Sequence, residues 1–207
     1  MGAILSVIFI YWKSLFLDKE ILKRVLAAFI PTGIIGFFLY KLIKKVLLGN
    51  NQVVLWSLFL GGIFLVVFEL CRKRNEHEIR KIADLSYGKA ALIGIFQSIS
   101  VIPGVSRSAA TIVGGLMLGM ERQTIVEFSF LLAVPTMLAA TTLDFVKNAG
   151  SFSSGQFGFL LIGFMTSFIV SWAAVKWLLH YVKHHSFILF GIYRIALVLI
   201  FWFAIKS

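Results

Sequence analysis

Residues 90–119 read AALIGIFQSISVIPGVSRSAATIVGGLMLG, an apolar run broken near its middle by Pro103 and Gly104. Each half holds about 13 to 15 residues, roughly 20 Å of helix. A membrane hydrocarbon core is about 30 Å thick, so neither half crosses it. The stretch therefore predicts a re-entrant helix pair whose tip lies near mid-membrane. Non-helical backbone at that depth is tolerated only where protein buries it or a watery cavity solvates it. The tip also carries charge: Arg107 stands between Ser106 and Ser108. An arginine at the bilayer centre costs about 2.5 kcal/mol or more, which implies a use for it. A Pro-Gly break followed by a helix start leaves backbone N–H groups beside hydroxyls and a guanidinium, the donors that hold a phosphate.

The rest of the chain reads as membrane protein on both sides of this stretch. Of 207 residues, 59% are hydrophobic and 14% charged, which is not the composition of a soluble domain. Spans are expected over Val25–Tyr40, with Pro31 and Gly33 inside, and over Val53–Cys71. Others are expected over Ile125–Leu143, Phe157–Leu178 and Phe187–Phe203. Met1–Trp12 is half a span long, and it is expected to be the tail of a span that begins upstream. Arg72–Lys89, with Glu76, His77, Glu78 and Asp84, reads as a polar loop. The expectation is one all-α integral-membrane domain over residues 1–207.

A formal charge of +11 raises nucleic acid as a partner. The basic residues, however, lie in short runs between apolar segments, such as Lys13–Arg24, Lys41–Lys45 and Arg72–Lys89. That placement fits anionic headgroups and argues against nucleic acid. With the re-entrant reading, one face collects Lys13, Lys19, Lys23, Arg24, Arg72, Arg80, Lys89, Arg122 and Lys183 among others, and should be cytoplasmic. The single Cys71 excludes a disulfide framework and a cysteine metal site. The four histidines are spread between a loop and a span end, and no nucleophile elbow or HExxH appears.

The candidate chemistry centres on the start of the second half-helix. Ser108 and Thr111 are three apart and should share a face; Ser106 and Arg107 sit at the break. The competing reading makes Ser106 an ordinary N-cap and Arg107 a snorkelling or paired side chain. Glu127 pairs with Arg107, holds a cation, or sits near Arg122 at the interface. Gln97 lines the same cavity or makes a helix–helix hydrogen bond. Arg194, inside the last apolar stretch, contacts phosphate or pairs with Glu127 or Glu69. Gly114, Gly115 and Gly119 are expected to permit close helix packing.

At these residues the chain resembles the undecaprenyl-diphosphate phosphatase family, the bacitracin-resistance membrane proteins. Pro103-Gly104-Val105-Ser106-Arg107-Ser108 with Thr111 is similar to that family's second signature, with Ala109 where the family usually has glycine. The likeness continues through Glu127–Pro135, Tyr193-Arg194 and Gly2–Leu5, and so covers essentially the whole chain. The family's other signature, with two glutamates, a serine-rich turn and a histidine, would precede Met1. The resemblance places metal-binding carboxylates and the catalytic histidine there.

The resemblance implies an inverted-repeat architecture of which this chain holds the second re-entrant pair. It implies hydrolysis of undecaprenyl diphosphate to the monophosphate and inorganic phosphate, which recycles the lipid carrier for peptidoglycan synthesis and confers bacitracin resistance. On this reading Arg107, Ser106 and Ser108 are catalytic, while Gly104, Thr111, Gln97, Glu127 and Arg194 bind substrate. A divalent cation, Mg²⁺ or Ca²⁺, is implied as cofactor. Membrane lipids and a second copy of the chain are the further partners, and the location is the cell membrane, crossed several times. A polyprenyl-phosphate flippase would use the same phosphate cradle, and an inactive fragment is the remaining alternative.

Overall fold

A computed structural model describes residues 1–46, 51–72, 78–148 and 157–206. Nine α-helices dominate the described residues: α1 (Gly2–Ile10), α2 (Trp12–Phe16), α3 (Lys19–Val46), α4 (Asn51–Cys71), α5 (Tyr87–Ser98), α6 (Arg107–Met117), α7 (Arg122–Asn148), α8 (Phe157–His184) and α9 (Ile188–Lys206). The only extended pairing among these residues is an isolated bridge between Ile79 and Met120. Helices α3, α4, α7 and α8 each contain a stretch long and apolar enough to cross a membrane. The chain is therefore an all-α membrane protein.

Helix termini run past the apolar segments, because backbone hydrogen bonding does not stop where side chains become polar. Helix α8 continues through His180, Tyr181 and Lys183 to His184, and α7 begins at Arg122. Pro31 and Pro135 lie inside α3 and α7 without ending them. Next to Pro31, the Thr32 hydroxyl donates to the carbonyls of Ala28 (3.0 Å) and Gly94 (2.8 Å), which ties α3 to α5. The expected polar loop is more structured than its composition suggested. Glu78 of that loop is ion-paired with Arg72 at 2.6 Å and largely buried. Lys73, Arg74, Glu76 and His77 lie outside the described residues.

Helices pack in pairs, α3 on α5, α4 on α9 and α1 on α8. Small residues set the closest approaches, as lipid offers no hydrophobic force to bring helices together. At Gly94 a Cβ would collide with the Ala28 backbone of α3. Gly62 of α4 faces the backbone of Gly191 of α9, where its Cβ would meet the carbonyl at 2.9 Å. Gly94→Val is accordingly expected to destabilise the fold by about 1–3 kcal/mol through overpacking. Unfolding in detergent followed by tryptophan fluorescence checks this, and an unchanged midpoint would contradict it.

The broken stretch folds as two short helices with a wide connection. Helix α5 is capped by Ser86, whose Oγ accepts from Lys89 N, and ends at Ser98. A short 3-10 turn (Ile99–Val101) and the Pro103-Gly104 corner follow before α6 starts at Arg107. Gly104 has φ +89°, a left-handed conformation natural to glycine. Helix α6 returns to the level at which α5 began: Ile79 N donates to Gly119 O (2.8 Å), Glu121 N to Ile79 O (2.9 Å), and Lys89 Nζ to Leu118 O (3.0 Å). Gly114 and Gly115 pack against Phe96 and Ile125 as expected of small residues. Gly119 does not: its φ of +85° and open surroundings make it the stop of α6.

Candidate functional site: a polar helix start

Ser106 caps α6, its Oγ accepting from Ala109 N at 3.3 Å. The N–H groups of Arg107 and Ser108 have no intrahelical acceptor at such a start. The Ser106 and Ser108 hydroxyls lie 3.2 Å apart and hydrogen-bond to one another. Neither is bonded to a carboxylate or an imidazole among the described residues. The helix start thus gathers two hydroxyls, unpaired N–H groups and the positive end of the helix dipole.

Arg107 leaves this start toward α7, where its Nη1 donates to Thr136 Oγ1 at 2.9 Å. It lines a crevice of about 230 Å³ with Ile4 and Val7 of α1, Ala133 and Met137 of α7, and Ala174 of α8. No carboxylate among the described residues is ion-paired with it. A half-buried guanidinium held by one neutral hydroxyl keeps donors for an anion. Thr136 was not singled out in the sequence. The signal was a hydroxyl directly after Pro135 on an otherwise apolar helix, visible only once α6 and α7 are known to touch.

Thr111 stands apart from the cluster. It is fully buried and donates to Gln97 Oε1 (3.1 Å) and to Arg107 O (2.9 Å). Gln97 is buried too, and its Oε1 joins α5 to α6 through Thr111. Three residues on a helix differ by about 60° in direction, enough to expose Ser108 and bury Thr111. Removing this hydroxyl in Thr111→Val should cost about 1–3 kcal/mol of stability by leaving buried Gln97 unpaired. Chemical unfolding in detergent should show a lower midpoint, and an unchanged midpoint would contradict the role of this bond.

Glu127 and Arg194 also resolve. Glu127 accepts from Gln123 Nε2 at 3.1 Å. It lies nine residues before Thr136 on α7, about 13 Å along the axis, and does not pair with Arg107. Arg194 pairs with neither Glu127 nor Glu69. It reaches across Gly61 of α4, where a Cβ would lie 3.1 Å from its Nη2, and that nitrogen donates to Gly104 O at 2.8 Å. Arg194 thus braces the corner from which α6 springs. Glu69 instead is ion-paired with Arg122, which also donates to His185 O at 2.8 Å. These residues, with Arg72, Glu78, Glu121 and Lys183, line a separate polar cavity of about 510 Å³ away from the α6 start. Its lining comes from four separate segments of the chain.

No three His, Cys, Asp or Glu side chains gather to hold an ion among the described residues. The hydroxyls and guanidinium at the α6 start are not the carboxylate set that Mg²⁺ or Ca²⁺ favours.

These features define a class: an all-helical membrane protein whose polar centre is a helix start offering hydroxyls, N–H groups and one guanidinium. The chain belongs to the family described as bacitracin resistance protein BacA, whose model matches residues 1–200. It is 51% identical to an undecaprenyl-diphosphatase of Aquifex aeolicus over 97% of this chain and 78% of that one. It is 50% identical to the one of Sulfurihydrogenibium over 98% of this chain and 79% of that one. The corresponding Thermus thermophilus protein is 42% identical over 98% of this chain and 77% of its own length.

Proposed function

We propose that the chain acts as an undecaprenyl-diphosphate phosphatase, a multi-pass protein of the cell membrane that releases inorganic phosphate and leaves the lipid monophosphate. The observation that carries this reading is Arg107 at the start of α6. It is a half-buried positive charge without a carboxylate partner among the described residues, beside two hydroxyls and unpaired N–H groups. Its likeness to the undecaprenyl-diphosphatases of Aquifex aeolicus and Sulfurihydrogenibium supports it. Recycling of the lipid carrier and resistance to bacitracin follow from that activity. The return of α6 to the level of the α5 start supports a re-entrant pair, with Ser106 and Arg107 at its tip.

In this arrangement the terminal phosphate docks on the α6 N-terminus. Ser106, Ser108 and the adjacent N–H groups hold its oxygens, and Arg107 offers its planar fork. Charge that builds on the oxygens during phosphoryl transfer is stabilised by donors already in place. Water or a serine is the nucleophile. A serine at its ordinary pKa requires a base, and Glu127, about 13 Å along α7 from the Arg107 contact, is poorly placed to serve. Gly104 and Arg194 act on substrate through the corner they hold, and Gln97 and Thr111 through the α5–α6 contact.

The flippase alternative uses the same cradle but needs two compartments. Hydrolysis does not. Protein in detergent micelles, supplied with undecaprenyl diphosphate, should release orthophosphate in proportion to enzyme. Lipid movement between leaflets of vesicles without any phosphate release would overturn the phosphatase reading.

A further inference from the structure

A second recess opens on the other flank of the α6 start. It encloses about 400 Å³ between α4, the α5 end and α6. Its walls are apolar, built by Leu60 and Phe64 of α4, Phe96 and Ile102 of the α5 segment, and Ala110 and Met117 of α6. Its polar groups are few: Ser57, Ser106 and Arg194. Ser106 and Met117 both belong to the wall, so the groove follows most of α6, about 16 Å. Phe64 and Met117 are 55% and 59% exposed, which leaves its side open toward lipid.

We propose that this groove seats the isoprenoid units nearest the diphosphate of the lipid substrate. The occupant follows from the polarity gradient. The Ser106 hydroxyl and the α6 N-terminus at one end, with hydrocarbon along the rest, complement a linear apolar chain carrying an anionic head. Ser106 belongs both to the groove wall and to the α6 cap, so a head held at the cap places the chain directly into the groove. The crevice beneath Arg107 is smaller, about 230 Å³. The proposal rests on the phosphatase reading for the identity of the head, and its primary test needs no turnover.

Undecaprenyl phosphate carrying a diazirine in its second isoprene unit is photolysed with the full chain in detergent, and labelled residues are mapped by mass spectrometry. Label on Leu60, Phe64 or Phe96, displaced by excess undecaprenyl phosphate but not by excess phospholipid, is the expected result. Label on Ala133 or Ala174 would place the chain in the Arg107 crevice and overturn the proposal. Displacement by ordinary phospholipid would make the groove a general lipid contact, which also overturns it. In kinetics, Ala110→Phe fills the groove and should raise KM for undecaprenyl diphosphate by about tenfold or more. Hydrolysis of isopentenyl diphosphate, too short to reach past the head end, should be unchanged, and this also reports that the variant is folded. An equal loss on both substrates in Ala110→Phe, together with label outside the groove, would contradict the assignment. Failure of the phosphatase reading would instead appear as correct labelling without hydrolysis.

Discussion

Replacing Arg107 with lysine is expected to lower kcat by about a hundredfold to a thousandfold, the range seen when one preorganised donor to a developing oxyanion is removed. The charge survives in this variant, so the loss reports geometry. Arg107 gives one N–H to Thr136 Oγ1 at 2.9 Å, and in the proposed clamp its remaining N–H groups meet phosphate oxygens. An ammonium is a point donor on a flexible stem and cannot hold both partners in one plane. Steady-state kinetics on undecaprenyl diphosphate separate the effect: kcat falls while KM changes little, because the interaction strengthens as charge develops. Turnover near that of the parent would remove Arg107 from the clamp.

Gly104→Ala is expected to have the next largest effect, about a hundredfold in turnover, although Gly104 offers substrate no side chain. Its φ of +89° costs an L-residue roughly 1–2 kcal/mol. A Cβ there would lie 2.5 Å from Val54 O and 3.0 Å from Ser57 Cβ, so the corner must lift away from α4. Arg194, bound to Gly104 O, would lose its grip on the same corner. Displacing the α6 start by about 1 Å suffices for a hundredfold loss where catalysis depends on positioning. Circular dichroism should show the helices intact, which separates this outcome from global unfolding. Full activity with normal helicity would mean that the corner tolerates movement and does not set the geometry of Ser106 and Arg107.

Much of the fold was legible because it follows from local chemistry. The Pro103-Gly104 break and four of the five expected spans stand where local sequence put them, while α9 holds only a shorter apolar stretch, Ile188–Ala204, and Ser106 takes the competing N-cap reading. Helix ends were less legible, since α8 runs on through His180 and Lys183 once its hydrogen bonds have begun. What sequence could not give was direction across space. Thr111 reads as a neighbour of Ser108, yet the rotation of α6 against α5 turns it onto Gln97. Arg194 reads as a second phosphate contact. That Gly61 lets it pass to the Gly104 carbonyl depends on how α4, α9 and the corner meet. Thr136 and the Glu69–Arg122 pair were hidden for the same reason, as their partners lie 29 and 53 residues away.

The most direct test of the account is the identity of the products. Undecaprenyl diphosphate incubated in detergent with the purified chain, and separately with its Arg107→Ala variant, should give one orthophosphate for each undecaprenyl monophosphate formed with the parent and almost none with the variant. Release of pyrophosphate with free polyprenol, or equal orthophosphate release from both proteins, would contradict a site in which the α6 start and Arg107 hold the terminal phosphate for transfer.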